Sequence, residues 1–182
     1  LKDIDPGRKN SQYHKRPAQN SELQKLIHDP KLKSLTGHET RGHMPSDLQR
    51  YFFMATFAAT FEKTPKLKDF PDFLLPAHKN IDGGRAGKMF SDRFRVQLPD
   101  FPATTITSHI SKDGHYFIHY DAKQCRSLTV REAARIQTFP DNYKFEGPRT
   151  SQYHQIGNAV PVLLARQIGE IILKLLDDIV QS

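Results

Sequence analysis

The chain has 182 residues, enough for one domain or for one domain with an attached lobe, and enough to bury a core. Only 37% of them are hydrophobic, and 12 prolines and 10 glycines fall mostly outside the periodic stretches, which points to a loop-rich fold and away from a large parallel-sheet enzyme. The excess of 27 Lys and Arg over 20 Asp and Glu, +7 before any histidine is counted, favours a polyanionic partner such as nucleic acid over a membrane surface. Residues 1–45 are rich in Lys, His, Asn, Pro and Ser and read as an arm or long loop, with one short helical possibility around Ser21–Ile27, where Leu23, Leu26 and Ile27 share a face.

A firmer helix is predicted from Ser46, capping with Gln49, through Leu48, Tyr51, Phe52, Ala55, Ala58 and Phe61, and stopping before Pro65. Residues 65–100 are broken by Pro71, Pro76, Gly83, Gly84, Gly87 and Pro99 and carry Lys79, Arg85, Lys88, Arg93 and Arg95, which predicts a basic irregular loop with one short strand at Phe94, Val96 and Leu98. Thr104–Ile110 and His115–His119 alternate β-branched or aromatic with polar residues around Ser111–Gly114, and this predicts a hairpin. Thr129 and Glu132 form a capping box for a helix that must end near Phe139, because Pro140 forbids continuation. After a loop with Gly147 and Pro148 comes a long helix with Pro161 in its first turn. Its Leu163, Leu164, Ile168, Ile171, Ile172, Leu175, Leu176 and Ile179 cover so wide an arc that burial on two sides is required.

The lone Cys125 excludes an internal disulfide and any zinc site built on cysteine pairs, and it fits a reducing compartment. Flanked by Gln124 and Arg126, with no evident paired base, it reads as inert rather than nucleophilic. Histidines 109, 115 and 119 fall in the predicted hairpin, but no fourth ligand of zinc-site spacing follows, and no metal is expected. The stretch Gly83–Met89 resembles a phosphate-binding loop only superficially, since glycine is missing at Asp82 and Ser or Thr at Met89. That basic loop still suits DNA, because glycines let the backbone approach phosphate and Arg or Lys can contact phosphate or guanine; a solvated charged loop is the bland alternative. No apolar run reaches the roughly 18 residues of a membrane span, and Leu1–Asn20 has no signal-peptide core, so no membrane partner or export is expected.

The decisive segment reads Arg-Ser-Leu-Thr-Val-Arg-Glu-Ala-Ala-Arg-Ile-Gln-Thr-Phe-Pro-Asp over Arg126–Asp141, followed by Gln-Ile-Gly-Asn-Ala-Val-Pro over Gln155–Pro161. In order and spacing these closely resemble the last two sequence motifs of DNA (cytosine-5) methyltransferases. Upstream, Pro102–Thr107 resembles the threonine-containing turn of that family's target recognition domain. The resemblance implies DNA contact by Thr105; on pattern alone Thr104, Thr105 and Thr107 offer hydroxyls to a phosphate or base edge, with ordinary β-propensity as the bland alternative. Arg85, Lys88, Arg93 and Arg95 complete the expected DNA-binding set. It further implies that Asn158, Ala159 and Val160 contribute to an S-adenosylmethionine pocket, the bland reading of Asn158 being a helix N-cap.

The family's Phe-x-Gly-x-Gly donor turn, Pro-Cys nucleophile, Glu-Asn-Val segment and Gln-Arg-rich motif do not occur in this sequence. The expectation is therefore a C-terminal fragment or small subunit, inactive alone and with no catalytic residue of its own. Its double-stranded DNA would be shared with a missing N-terminal catalytic domain or subunit. The implied chemistry is flipping of cytosine out of the duplex, thiolate attack at C6, methyl transfer to C5 and loss of the C5 proton. The expected fold is mixed α/β: a small loop-rich, β-containing target recognition region over 1–125, then a 126–182 segment whose helices complete an absent Rossmann-like catalytic domain. Helix 129–139 should buttress the recognition region, with Arg131 and Arg135 ion-paired. The final helix, lacking its partner, should make the isolated chain form a non-native dimer, swap this helix or aggregate. The compact motif set is bacterial in style, as in restriction and modification systems, which implies a cytoplasmic protein. A noncatalytic DNA-binding module that kept the fold is the alternative from another class.

Overall fold

The computed structural model describes residues 10–12, 22–76 and 94–181. In chain order the elements are β1 (Asn10–Gln12), α1 (Glu22–Ile27), β2 (Ser34–Thr36), α2 (Pro45–Phe61), α3 (Val130–Ile136), α4 (Arg149–Asn158) and α5 (Val162–Gln181), with short 3-10 turns at Leu67–Asp69, Asp72–Leu74 and Ser108–Ser111. The architecture is mixed, dominated by helix with little strand. β1 and β2 pair antiparallel, Ser11 opposite Leu35.

Among the described residues two apolar clusters form the core. One joins Tyr51, Met54 and Ala58 of α2 to Leu67, Phe70, Leu74, Phe94, Val96 and Ile118. The other joins Ile106, Ile110 and Phe117 to Leu128, Val130, Ala133, Ala134, Phe139, Phe145, Tyr153 and Ile156. Residues from both sides of position 125 therefore share one core. The neighbours Phe117 and Ile118 point into different clusters, as the two-residue period of an extended chain requires.

That two-sided burial explains why the expected hairpin does not form. His115 and His119 are themselves buried, so residues 115–119 have no solvent face. Their backbone pairs instead with residues 95–97 on one side, in a parallel bridge at Val96 and Ile118, and with residues 126–128 on the other, antiparallel at Ile118 and Ser127. The strand expected at Phe94–Leu98 is thus reduced to a single bridge residue. Residues 104–107 form no strand; Thr107 is extended (φ −113°, ψ 164°) and leads into the turn at Ser108–Ser111.

The helix ends follow their sequence signals unevenly. The cap of α2 lies two residues before the expected Ser46: Met44 is the N-cap, with no side-chain hydrogen bond, and Pro45 occupies the first position, where its missing N–H is no loss. It ends at Phe61 with Glu62 in the left-handed region (φ 53°). α3 has the expected capping box, the Thr129 side chain accepting from Glu132 N while the Glu132 carboxylate accepts from Thr129 N. α4 lies in a stretch read as loop, because only Tyr153 and Ile156 of its ten residues are buried and its pattern carries almost no apolar period.

Residues 22–45 are not a free arm. The Asp141 amide donates to Ile27 O, the Arg131 amide to Gly37 O, and Arg41 spans to Ile110 O and Lys112 O while stacking over the Tyr153 ring at 4.3 Å. Arg131, expected in an ion pair, is instead 1% exposed and donates to the carbonyls of Thr36 (3.0 Å), Pro140 (3.2 Å) and Tyr143 (2.8 Å). Its five donors in a planar fork let one side chain close three backbone segments, and burial pulls its pKa down. Arg135 does form the expected ion pair, at 2.8 Å and 2.9 Å to the two oxygens of the buried Asp141.

Candidate functional site

The threonine turn is held at both ends. Gln97 Oε1 accepts from Thr104 N (3.0 Å) and Thr104 Oγ1 (3.1 Å), while Gln97 Nε2 donates to Tyr116 O. Ile106 is 2% exposed and packs in the cluster with Tyr153 and Ile156. Alternation then turns Thr105 and Thr107 outward, and both are exposed. Arg95 is half-buried, its backbone pairing with His115 O and Ile118 N. Arg85, Lys88 and Arg93 lie outside the described residues.

The Gly157–Pro161 turn adjoins this loop. A Cβ placed on Gly157 would overlap the backbone of Thr107 and Ser108, so only glycine allows α4 and the Ser108–Ser111 turn to touch. Asn158 and Val160 are exposed and Ala159 half-buried. Asn158 is the last residue of α4, not the N-cap of α5. The amides at the start of α5 are satisfied by a different segment: Val162 N donates to Gln137 O (3.1 Å) and Leu163 N to Thr138 Oγ1 (2.9 Å). Thr138 holds this position with φ 59°, a conformation uncommon for a β-branched residue.

The buried polar groups beneath the site serve the fold. Glu132 accepts from both terminal nitrogens of Arg126 and from Thr129 N; burial pushes its pKa up, but the Arg126 bonds and charge win and hold it at about 2. Burial lowers His43 and His119 to about 4, with Arg41 and Arg126 respectively acting in the same direction. Of the three histidines once considered together, His115 bonds Tyr51 Oη at 2.7 Å, His119 lies 3.9 Å from Glu132, and His109 is exposed. Among the described residues no three His, Cys, Asp or Glu side chains gather as metal ligands. Cys125 is buried, its Sγ donates to Ala122 O, and burial raises its pKa, the reverse of what activates a thiolate. A groove of about 440 Å³ between β2 and α4, lined in part by Gly37, Val130 and Phe145, is bordered by neither the threonine turn nor Asn158–Val160.

The sequence profile of the C-5 cytosine-specific DNA methylase family matches residues 7–174. The chain belongs to this family. The type II methyltransferase M.Bpa9945I of Bacillus paralicheniformis is 50% identical over 141 residues, covering 75% of this chain and 30% of the relative. M1.HphI of Haemophilus parahaemolyticus is 31% identical over 153 residues, covering 81% of this chain and 35% of the relative. M.Eco47II of Escherichia coli is 48% identical over 80 residues, covering 44% of this chain and 19% of the relative. This methylase chain therefore spans about a third or less of the length of these curated relatives. Among the described residues no helix is long and apolar enough to cross a membrane.

Asn158 and Val160 are exposed on either side of an Ala159 whose carbonyl accepts from Gln137 Nε2. Sequence reading missed the contact between Gly157 and the threonine turn. No signal marked it, because residues 149–158 read as loop, where a glycine is ordinary; only in the helix that forms there is a glycine unfavourable, by about 1 kcal/mol, unless packing requires it.

Proposed function

We propose that this chain is the target-recognition and C-terminal portion of a DNA (cytosine-5) methyltransferase, working on double-stranded DNA with a catalytic portion that supplies the cysteine nucleophile and most of the S-adenosylmethionine site. The observation that carries the reading is the adjacency just described: exposed Thr105 and Thr107 on a loop pressed against the end of α4, whose last residue is Asn158 and which leads directly into Ala159 and Val160. S-adenosylmethionine, when bound, supplies the methyl group, and Asn158 and Val160 contribute one wall for it. Thr105 and Thr107 meet the duplex around the flipped cytosine, and Arg85, Lys88, Arg93 and Arg95 neutralise phosphates.

In this division of labour residues 1–125 make most of the DNA contacts and residues 126–182 complete the catalytic domain. Helix α5 is the second joint with that domain. Ile171, Ile172, Leu175 and Ile179 are each at least half exposed, an apolar surface too large to stay in water without a partner. Alone, the chain is inactive and dimerises through this helix. The setting is a bacterial restriction and modification system, in the cytoplasm.

The test is methyl incorporation from labelled S-adenosylmethionine into genomic DNA, by this chain alone and by the chain together with the upstream portion of its gene. Transfer only with the upstream portion, reduced at least about tenfold by Thr105→Ala, is the expected result; a loss of that size corresponds to removing one base contact. Duplex binding by the chain with no methyl transfer in either setting would make it a noncatalytic DNA-binding module instead.

A further inference from the structure

Gln137 is 4% exposed, and its side-chain Nε2 faces three backbone carbonyls: Ile156 O at 3.1 Å, Ala159 O at 3.2 Å and Ile106 O at 3.4 Å. A primary amide has two hydrogens to share among them, so all three segments compete for one donor group. These segments are the threonine turn, the end of α4 and the Gly157–Pro161 turn. The backbone of the same residue accepts from Val162 N, and the Thr138 hydroxyl accepts from Leu163 N, so the start of α5 is tied to the same point. Gly157 closes the arrangement from the other side, where any side chain would displace Thr107 and Ser108.

We infer that Gln137, with Gly157 opposite it, is a positioning residue that sets the threonine turn in register with the Asn158–Val160 turn and the root of α5. The inference rests on the function proposed above, since it assigns the turn to DNA and the Asn158–Val160 segment to the cofactor side. Gln137 touches neither DNA nor cofactor. It acts through Ile106, whose carbonyl it holds and whose neighbours are Thr105 and Thr107. Because one side chain serves both turns, disturbing it moves the DNA-facing and the cofactor-facing surfaces together. A residue serving only one would move only one.

The physical link is read on this chain by amide hydrogen exchange. Gln137→Met keeps the length and removes the donor. Exchange should rise together at Ile110 N (bonded to Thr107 O), Ala159 N (bonded to Ile156 O) and Val162 N, by about tenfold, with Ile118 N in the other cluster unchanged. A rise at only one of the three, or an equal rise across the molecule, overturns the link. The functional consequence is read in the complete methyltransferase with genomic DNA. Gln137→Met should raise KM for both DNA and S-adenosylmethionine several-fold, by about fivefold each if one neutral hydrogen bond is lost, and lower kcat less.

Leu74→Ala, which opens a cavity in the other cluster, controls for stability and should lower the melting temperature while leaving both KM values alone. Gly157→Ala provides a second route to the same displacement and should mimic Gln137→Met in both KM values. If Gln137→Met changes exchange but neither KM, while Thr105→Ala still impairs methylation, the positioning role is wrong and the proposed function stands. If Thr105→Ala is also without effect on an enzyme that methylates, the assignment of the turn to DNA falls, and the inference with it.

Discussion

Helices α3 and α5 stand in opposite relation to their own composition. α3 runs seven residues and buries Val130, Arg131, Ala133 and Ala134, so that one of its most buried side chains is an arginine. α5 runs twenty residues, most of them Leu, Ile or Val on more than one face, and buries none. Ile171 is 60% exposed where Arg131 is 1% exposed. Burial here follows what lies opposite each side chain rather than its hydropathy. The Arg131 guanidinium finds three carbonyls that need donors, whereas α5 is buried at no position among the described residues. Fully burying a Leu or Ile is worth about 1.5–3 kcal/mol, so the exposed apolar side chains of α5 forgo stabilisation that their composition could supply.

The largest effect that would break this contrast is expected at Glu132. It is the counter-charge of Arg126 and half of the α3 capping box, so Glu132→Ala strands a buried guanidinium and uncaps the helix together. Removing one partner of such a pair is expected to destabilise the fold by about 3–5 kcal/mol in a denaturant titration. A loss below about 1 kcal/mol, the range of surface pairs, would mean that α3 is not anchored as described.

A smaller effect is expected from acid. His43 and His119 have folded pKa values of about 4, lower than their ordinary 6.5, so the folded state favours the neutral ring. Their contribution is complete above pH 6.5 and is lost as pH falls from 6.5 towards 4, where protonation pulls towards the unfolded chain. By pH 5.5 this amounts to on the order of 1 kcal/mol per histidine. Glu132, with its pKa at about 2, contributes stability above its ordinary 4.5 that is lost only as pH falls from 4.5 through 2, so the two steps are separable. A melting temperature flat between pH 7 and pH 5 would contradict the burial of both rings.

The smallest effect sharpens the comparison from the α5 side. Ile172→Glu, on a fully apolar stretch, should change the unfolding free energy by less than about 0.5 kcal/mol, as for any exposed site. In light scattering of the isolated chain the same variant should shift the population from dimer towards monomer. A stability loss like that of a core substitution would show that α5 packs on its own chain after all.

The extent of the site that could be read in advance follows the same division. The α3 capping box and the end of the helix before Pro140 were legible, because each depends on residues within a few positions of one another. The hairpin was misread because alternation in residues 115–119 looked like one wet and one dry face, while packing on both sides buried His115 and His119 as well. α4 was missed because its contacts come from two buried residues and a glycine, too few to mark a helical period. The bland alternative for Asn158, a cap for α5, rested on its preceding that helix in sequence; Thr138, reached across the fold, takes that role.

What this sequence determined by itself was its family membership and its local punctuation: motifs in order, helix starts and stops, and a basic, loop-rich character. Only the tertiary structure decided that Gln137 and Gly157 join the threonine turn to the Asn158–Val160 turn, and that α5 leaves the core unburied. The reason is physical. Caps and turns depend on torsions and hydrogen bonds between near neighbours, whereas a shared amide donor, a backbone contact that admits no Cβ and an uncovered apolar helix are properties of segments that meet only when the whole chain is packed.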